Sequence, residues 1–344
     1  MTMDWLPHLP IIWFVLVGVL FTGYAMLDGF DLGVGVLYLF VKKDEDRRTF
    51  LNAIGPVWDG NEVWLVTGGG ALFAAFPPVY ATVLSGFYVP FMALLAGLIF
   101  RAVAIEFRSK EKWGWWRQMW DLGFALGSMA SGFLIGLIMG NLLQGIPLNT
   151  RGEYAGGLWP LLNPYALLVG VTTLALFAMH GSIYIVMKTE GELQAQVRRW
   201  VNRSIAIFLV FYVALNVATL FYAPHLLETV KERPWLIVIF ALNVLMVLNI
   251  PRENHLGNEF RAFLSSCAAM ALLLALFGLT IFPNMVPSLP DPERSLTIYN
   301  AASTAKTQFI MLIIAIIGVP IVLAYTACVY YIFRGKVKLT SQSY

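Results

Sequence analysis

The chain has 344 residues, of which 59% are hydrophobic and only 12% are charged. A soluble domain of ordinary composition carries about 25% charged residues, so these proportions exclude a soluble globular protein. The net charge of +3 is divided among many loops, which argues against a nucleic-acid partner. The apolar stretches exceed twenty residues without alternating polarity, and they therefore predict membrane-spanning helices and not a β-barrel.

These stretches predict nine membrane-spanning helices in a single integral membrane domain, residues 1–344. Their approximate bounds are 9–39, 51–76, 79–107, 117–146, 160–187, 204–223, 235–250, 259–284 and 306–333. The seventh is so short that, at about 1.5 Å per residue, it barely crosses the hydrocarbon core. The proline-rich segment between the last two spans is expected to form an irregular cap.

The distribution of lysine and arginine predicts the orientation of the chain. With nine spans, 17 of the 23 basic residues fall on one face, in the loops that follow the first, third, fifth and seventh spans and in the C-terminal tail. Five fall on the opposite face, and Arg101 lies within a span. Cytoplasmic loops carry the excess of positive charge, so we expect the N-terminus outside and the C-terminus in the cytoplasm.

Carboxyl side chains recur at a similar depth near the cytoplasmic ends of the first four spans. The group comprises Asp28, Asp31, Asp59, Glu62 and Asp121, with Arg101 as the cation among them. A charged side chain at membrane depth costs at least about 2.5 kcal/mol and is usually functional or paired. One interpretation is that Arg101 neutralises one or two of the acids and fixes helix packing. The other is a proton relay that opens towards the cytoplasm.

The second predicted span also carries aromatic and small residues that can form an interface or contact a cofactor edge. These candidates are Trp58, Asn61, Trp64, Gly68, Gly69 and Gly70. Small residues allow another helix or a flat ligand to approach closely, and helix packing is the more common use. Only His180 of the four histidines lies within a span, so we expect a hydrogen-bonded core histidine and predict no metal site in this chain.

Several motifs, taken together and in order, resemble one known family. The sequence reads DGFDLGVG at residues 28–35, WDGNEVWLVTGGGALFAAFP at 58–77, MWDLG at 119–123 and GNLLQGIP at 140–147. This series resembles subunit II of the cytochrome bd quinol oxidases, and the likeness extends over nearly the whole chain. The family often has Gln where this chain has Glu62, and Gln cannot titrate.

The resemblance implies a fold of two four-helix bundles, here residues 9–146 and 160–284, with a peripheral helix at 306–333. It implies a multi-pass protein of a bacterial or archaeal cell membrane. The implied complex oxidises quinol, reduces oxygen to water and builds a proton gradient by taking up protons from the cytoplasm. Its haem b and haem d would be ligated by subunit I, which leaves no catalytic residue in this chain.

The resemblance also implies roles for the intramembrane charges. Asp28, Asp31, Asp59 and Glu62 would form part of the proton path, supported by Arg101 and Asp121. Further partners would be quinol or quinone, lipid and a small accessory transmembrane subunit. A proton-coupled secondary transporter is the alternative, because such proteins also place acids within the membrane.

Overall fold

The structure, a computed structural model, describes residues 6–339, and these are almost entirely helical. Most of the helices are joined by short turns, and the two long connections are residues 145–163 and 282–304. The helices are α1 (Leu9–Tyr38), α2 (Asp44–Ile54), α3 (Trp58–Ala75), α4 (Pro77–Gly86), α5 (Tyr88–Phe107), α6 (Gly114–Gln144), α7 (Pro164–Lys188), α8 (Gly191–Tyr222), α9 (His225–Glu232), α10 (Leu236–His255), α11 (Glu259–Ile281) and α12 (Ala305–Ile332).

Within residues 6–339, eight helices are long and apolar enough to cross a membrane, namely α1, α5, α6, α7, α8, α10, α11 and α12. Each overlaps one of the predicted spans. The seventh predicted span was drawn too short, because α10 continues through Pro251 to His255 and has 20 residues. The sixth was also too short, because α8 begins at Gly191 and has 32 residues.

The second predicted span, residues 51–76, is not a single helix. Its first residues belong to α2, an amphipathic helix whose first turn holds Asp44, Glu45 and Asp46. Pro56 follows immediately and has no N–H to continue the helix, so the chain bends before α3 begins at Trp58. The polar first turns of α3 lower its hydropathy, which explains why α3 is not among the eight helices that are apolar enough to cross a membrane.

The third predicted span, residues 79–107, is also divided. Pro77 and Pro78 start the ten-residue helix α4, since proline is favoured in the first turn of a helix. The chain turns at Phe87, and α5 runs back from Tyr88. Phe76 and Phe87, the residues on either side of α4, are fully buried.

Helix α1 lies at the centre of the fold and packs against α3, α6, α7 and α11. Its closest approach is to α7, at Gly33 and Gly181. A Cβ atom on Gly33 would overlap the carbonyl of Phe177, and a Cβ on Gly181 would lie 2.6 Å from the backbone of Gly33. The two glycines therefore allow the backbones to touch, as small residues do between membrane helices.

The segment between α11 and α12 forms the predicted cap and contains a small antiparallel sheet. Strand β1 (Asn284–Val286) pairs with β2 (Leu296–Thr297). Val286 and Ile298 pack with the residues flanking α4 in an apolar cluster. Helix α12 lies at the edge of the fold, where only Gln308 of its 28 residues is buried.

Candidate functional site

Arg101 on α5 is the centre of a buried ion cluster between α1, α3 and α5. Its guanidinium nitrogens lie 2.6 and 3.2 Å from the two carboxylate oxygens of Asp28. The same group donates to Oε1 of Glu62 at 2.5 Å, and it lies 3.9 Å from Oδ2 of Asp31. Arg101, Asp28 and Asp31 are completely buried, whereas 22% of the Glu62 side chain is exposed. Three of the predicted acids therefore meet the predicted cation.

Asp31 is held mainly by a polar chain that reaches the peripheral helix. Asn61 on α3 donates from Nδ2 to Oδ2 of Asp31 at 2.7 Å. Tyr330 on α12 donates its hydroxyl to Oδ1 of Asn61 at 2.9 Å. Asn61 is thus part of the charge cluster, and the otherwise exposed helix α12 is joined to it by one tyrosine.

The cluster contains more carboxyl groups than cations. Asp28, Asp31 and Glu62 face the single positive charge of Arg101, so complete ionisation would leave two negative charges in a buried site. Among the described residues, Oδ1 of Asp31 and Nε of Arg101 have no hydrogen-bond partner. Buried charge without a partner is unfavourable in a medium of low dielectric constant. The arrangement therefore favours the binding of a proton or of water.

Asp121 lies in a second network, separate from Arg101, near the start of α6. Its carboxylate accepts from Nε of Arg108 at 2.5 Å and from Nη1 of Arg47 at 2.6 Å. The hydroxyl of Tyr38 donates to it at 2.8 Å. This network ties α1 and the start of α2 to α6 through one buried carboxylate.

Asp44 on α2 completes the second network at the surface. It accepts hydrogen bonds from Arg108 at 2.6 Å and from Arg117 at 3.0 Å. Partial burial raises the pKa of Asp44, but the hydrogen bond and positive charge of Arg108, with the charge of Arg117, outweigh burial and lower the pKa overall. Asp44 is therefore a charged anchor for α2.

Asp59 does not join either network. It is exposed on α3, although it lies only one turn before Glu62. The two acids are separated by about 60° of helix rotation, and only the longer Glu62 reaches Arg101. Asp59 has no hydrogen bond or ion pair among the described residues.

The aromatic and glycine candidates on α3 divide between the interior and an open face. Trp58 is buried in the main apolar core, and the indole of Trp64 lies where a Cβ on Gly23 of α1 would be. Gly68 faces the ring of Phe21, with a constructed Cβ 3.1 Å away. By contrast, a Cβ on Gly69 or Gly70 would meet nothing within 4 Å.

The open face of α3 continues onto α5. Val66 is 73% exposed on α3, and Ile99 and Phe100 are more than half exposed on α5. Exposed apolar residues of this kind are expected wherever a membrane helix contacts lipid or another subunit. Asp59 lies on the same side of α3, so this face is apolar with one carboxylate near the start of the helix.

His180, the histidine within a predicted span, is fully engaged in hydrogen bonds. His180 is buried, and both ring nitrogens are engaged, Nδ1 with the Ser266 hydroxyl at 2.7 Å and Nε2 with the carbonyl of Met26 at 3.0 Å. The predicted hydrogen-bonded core histidine is confirmed. Axial ligation needs a free ring nitrogen facing the iron, so His180 as it is placed does not fit the ligation of a haem.

Two contributors to these networks were missed in the sequence. Arg108 was counted as a loop cation, yet it is 1% exposed and lies seven residues after Arg101, in the short 3-10 turn that directly continues α5. That spacing is the signal that could have identified it. Tyr330 could not be found in this way, because its contact with Asn61 joins residues 269 positions apart.

Comparison with known proteins agrees with the fold and the motifs. The sequence profile of the family described as "Cytochrome bd terminal oxidase subunit II" matches residues 9–333. The chain belongs to this family. It is therefore a subunit of a bd-type terminal oxidase, and the alternative of a secondary transporter is not supported.

Individual relatives cover the same length. The "Cytochrome bd-I ubiquinol oxidase subunit 2" of Escherichia coli (strain K12) is 38% identical over 360 residues, which cover 96% of this chain and 95% of the relative. The "Cytochrome bd ubiquinol oxidase subunit 2" of Bacillus subtilis (strain 168) is 34% identical, with 95% and 96% covered. A solved bd oxidase chain from Geobacillus thermodenitrificans superposes with a TM-score of 0.78 at 16% identity, covering 95% of this chain and 98% of that one. The last comparison supports the fold alone.

Proposed function

We propose that this bd oxidase subunit II works in a complex that oxidises quinol and reduces oxygen to water, and that it provides part of the proton inlet from the cytoplasm. The proposed inlet rests on one observation, which is that three acids differ stepwise in their solvent exposure. Asp59 is exposed, Glu62 is partly exposed, and Asp28 is buried, with Glu62 and Asp28 bridged by Arg101. Acids of this kind within a membrane protein serve as proton relays.

The direction of uptake rests on the topology, which is part of the same proposal. Helix α3 has 18 residues, or about 27 Å at 1.5 Å per residue, so it can serve as the ninth span. The nine spans would form two four-helix bundles, residues 9–146 and 160–284, with residues 306–333 at the edge. The excess of Lys and Arg places the N-terminus outside and the C-terminus in the cytoplasm of a bacterial or archaeal cell membrane.

The partner in this proposal is the haem-bearing subunit I, which would cover the open face of α3 and α5. Gly69, Gly70 and Val66 leave room there for close contact with another helix. Because His180 has no free ring nitrogen, haem b and haem d would be held by that partner, and this chain would contribute no catalytic residue. A quinone and a small accessory subunit belong to the same assembly in the proposal.

The test replaces Asp59 by Asn and, separately, Asp28 by Asn in the assembled oxidase. Each change keeps the shape of the side chain but removes its ability to titrate, so quinol-driven oxygen consumption should fall about tenfold or more. Glu45→Gln on α2, an acid outside both networks, is the matched control and should leave turnover unchanged.

The haem absorption spectrum separates proton uptake from assembly. A proton role requires slow turnover with the spectrum intact in both Asp variants. Full turnover in both variants would contradict the inlet, whereas loss of haem would show that these acids support assembly only.

A further inference from the structure

A second site lies on the opposite side of α1, in a groove between α1, α7 and α8. The groove holds about 390 Å³, within the range of roughly 300–1,000 Å³ that is typical of ligand sites. Leu37 and Phe40 line it from the α1 side, Leu174 and Ala178 from α7, and Ile207 from α8. Phe40 is 64% exposed and Ile207 is 52% exposed, so the groove opens at the lipid-facing surface.

The walls of this groove are apolar, and one end is charged. The hydroxyl of Ser204 already has hydrogen-bond partners within the protein. It donates to the carbonyl of Val201 at 2.9 Å and lies 3.0 Å from the hydroxyl of Ser182. The guanidinium of Arg203 is exposed and has no ion pair among the described residues. The groove therefore ends in one unpaired positive charge.

The position of Arg203 along α8 matches the membrane surface. Residues 204–222 contain no charged side chain, and at about 1.5 Å per residue these 19 residues span about 28 Å of hydrocarbon. Arg203 thus lies at the edge of the hydrocarbon, and Arg199 follows the same side of the helix one turn further out. Lys42 and Lys43 follow the end of α1 just beyond Phe40, and Nζ of Lys43 lies 4.0 Å from the carboxylate of Glu192 at the start of α8.

We propose that this groove binds one anionic phospholipid, with an acyl chain along α7 and the phosphate at Arg203. The charge decides between occupants of similar shape, because a basic residue at the cytoplasmic membrane surface attracts an anionic headgroup. A zwitterionic headgroup has the same phosphate but no net negative charge, so it compensates the arginine less well. The site is independent of the proton inlet, since it lies on another face of α1 and its test counts lipid rather than oxygen.

The test uses the oxidase purified with its partner subunit and delipidated in detergent. It is titrated with phosphatidylglycerol or with phosphatidylcholine of the same acyl chains, and bound lipid is counted by native mass spectrometry. The attraction between one basic residue and an anionic headgroup corresponds to a change of about fivefold in affinity. Phosphatidylglycerol should therefore bind about fivefold more tightly than phosphatidylcholine at this site. Arg203→Gln should remove that preference, and Ala178→Phe should remove the bound lipid by filling the groove.

Two matched controls and a second readout keep the test decisive. Arg261→Gln, an exposed arginine at the start of α11, and Ala241→Phe, an exposed alanine on α10, should leave binding unchanged. Equal binding of the two lipids, or equal loss in Arg203→Gln and Arg261→Gln, would overturn the proposal. The second readout is the quinone content of an organic extract of the purified oxidase. The proposal would also be overturned if Ala178→Phe removed a quinone from this extract while phosphatidylglycerol binding persisted.

Discussion

Residues 9–144 and residues 164–281 place polar side chains within the membrane in different ways. In the first region the buried polar groups include Asp28, Asp31 and Arg101, which form an ion cluster. In the second region they are mostly uncharged and bond each other, as in the contact of Tyr212 with Asn243 at 2.7 Å. Asn243 in turn donates to the carbonyl of Ala269 at 2.7 Å.

The two regions also differ in how completely these groups are satisfied. Among the described residues, six side chains between 9 and 144 have a buried nitrogen or oxygen without a hydrogen-bond partner, Asp31, Arg101 and Arg108 among them. Between 164 and 281 there is none. Unsatisfied buried groups are unfavourable and are kept where they serve a function, and the difference therefore supports the proposal that proton uptake lies in the first region.

The largest effect is expected from replacing Arg101 by Gln. The change leaves Asp28, Asp31 and Glu62 without their cation, and breaking a buried ion pair in this way costs about 3–5 kcal/mol. The assembled oxidase should unfold at a markedly lower temperature and be recovered in lower yield. Arg101→Lys should give an intermediate result, because lysine keeps the charge but cannot reproduce the two-oxygen contact with Asp28.

A double variant and a surface control sharpen this experiment. Asp28→Asn added to Arg101→Gln should restore part of the stability, because it removes one uncompensated charge. Arg117→Gln, whose side chain is 32% exposed, should cost at most about 1 kcal/mol. If Arg101→Gln were no more harmful than Arg117→Gln, the cluster would not be charged and the contrast between the regions would fail.

The sequence predicts the members of the ion cluster better than their geometry. Asp28, Asp31 and Arg101 stand out because charges in apolar stretches must find partners. The bends at Pro56 and Phe87 were missed, since the hydropathy of a long window hides a short break. Asp121 binds Arg108 and not Arg101. The sequence did not show this, because Arg108 was counted among the basic residues of the loops.

A smaller effect is expected in the second region from Tyr212→Phe. The change removes the hydrogen bond to Asn243, and such bonds between membrane helices contribute about 0.6–1.7 kcal/mol. Thermal unfolding should shift slightly while quinol-driven oxygen consumption stays at the level of the unchanged oxidase. Tyr325→Phe, an exposed tyrosine on α12, is the control for loss of a hydroxyl. A large loss of turnover with stability preserved would place function in the second region as well.

The smallest effect is a pH dependence in α2, where two neighbouring acids should respond with opposite sign. The pKa of Asp44 is lowered overall, because the hydrogen bond and positive charge of Arg108 outweigh its partial burial. Its contribution to stability is therefore present above the unfolded pKa of about 3.9 and is lost as the pH falls through the lower folded value. Asp44→Asn should reduce the unfolding temperature at pH 7, and this reduction should shrink as the pH is lowered below about 3.9.

Asp46 provides the matched comparison on the same helix. Its pKa is raised, chiefly by burial, so its ionised form is disfavoured in the folded protein. Its contribution is fully present below about pH 3.9 and is lost as the pH rises through the higher folded pKa. Compared with the unchanged protein, Asp46→Asn should therefore raise the unfolding temperature more at pH 7 than near pH 3. Asp44→Asn should instead lower the unfolding temperature at pH 7. Shifts of the same sign in the two variants would show that α2 responds to total charge and not to the specific contacts of Asp44 with Arg108 and Arg117.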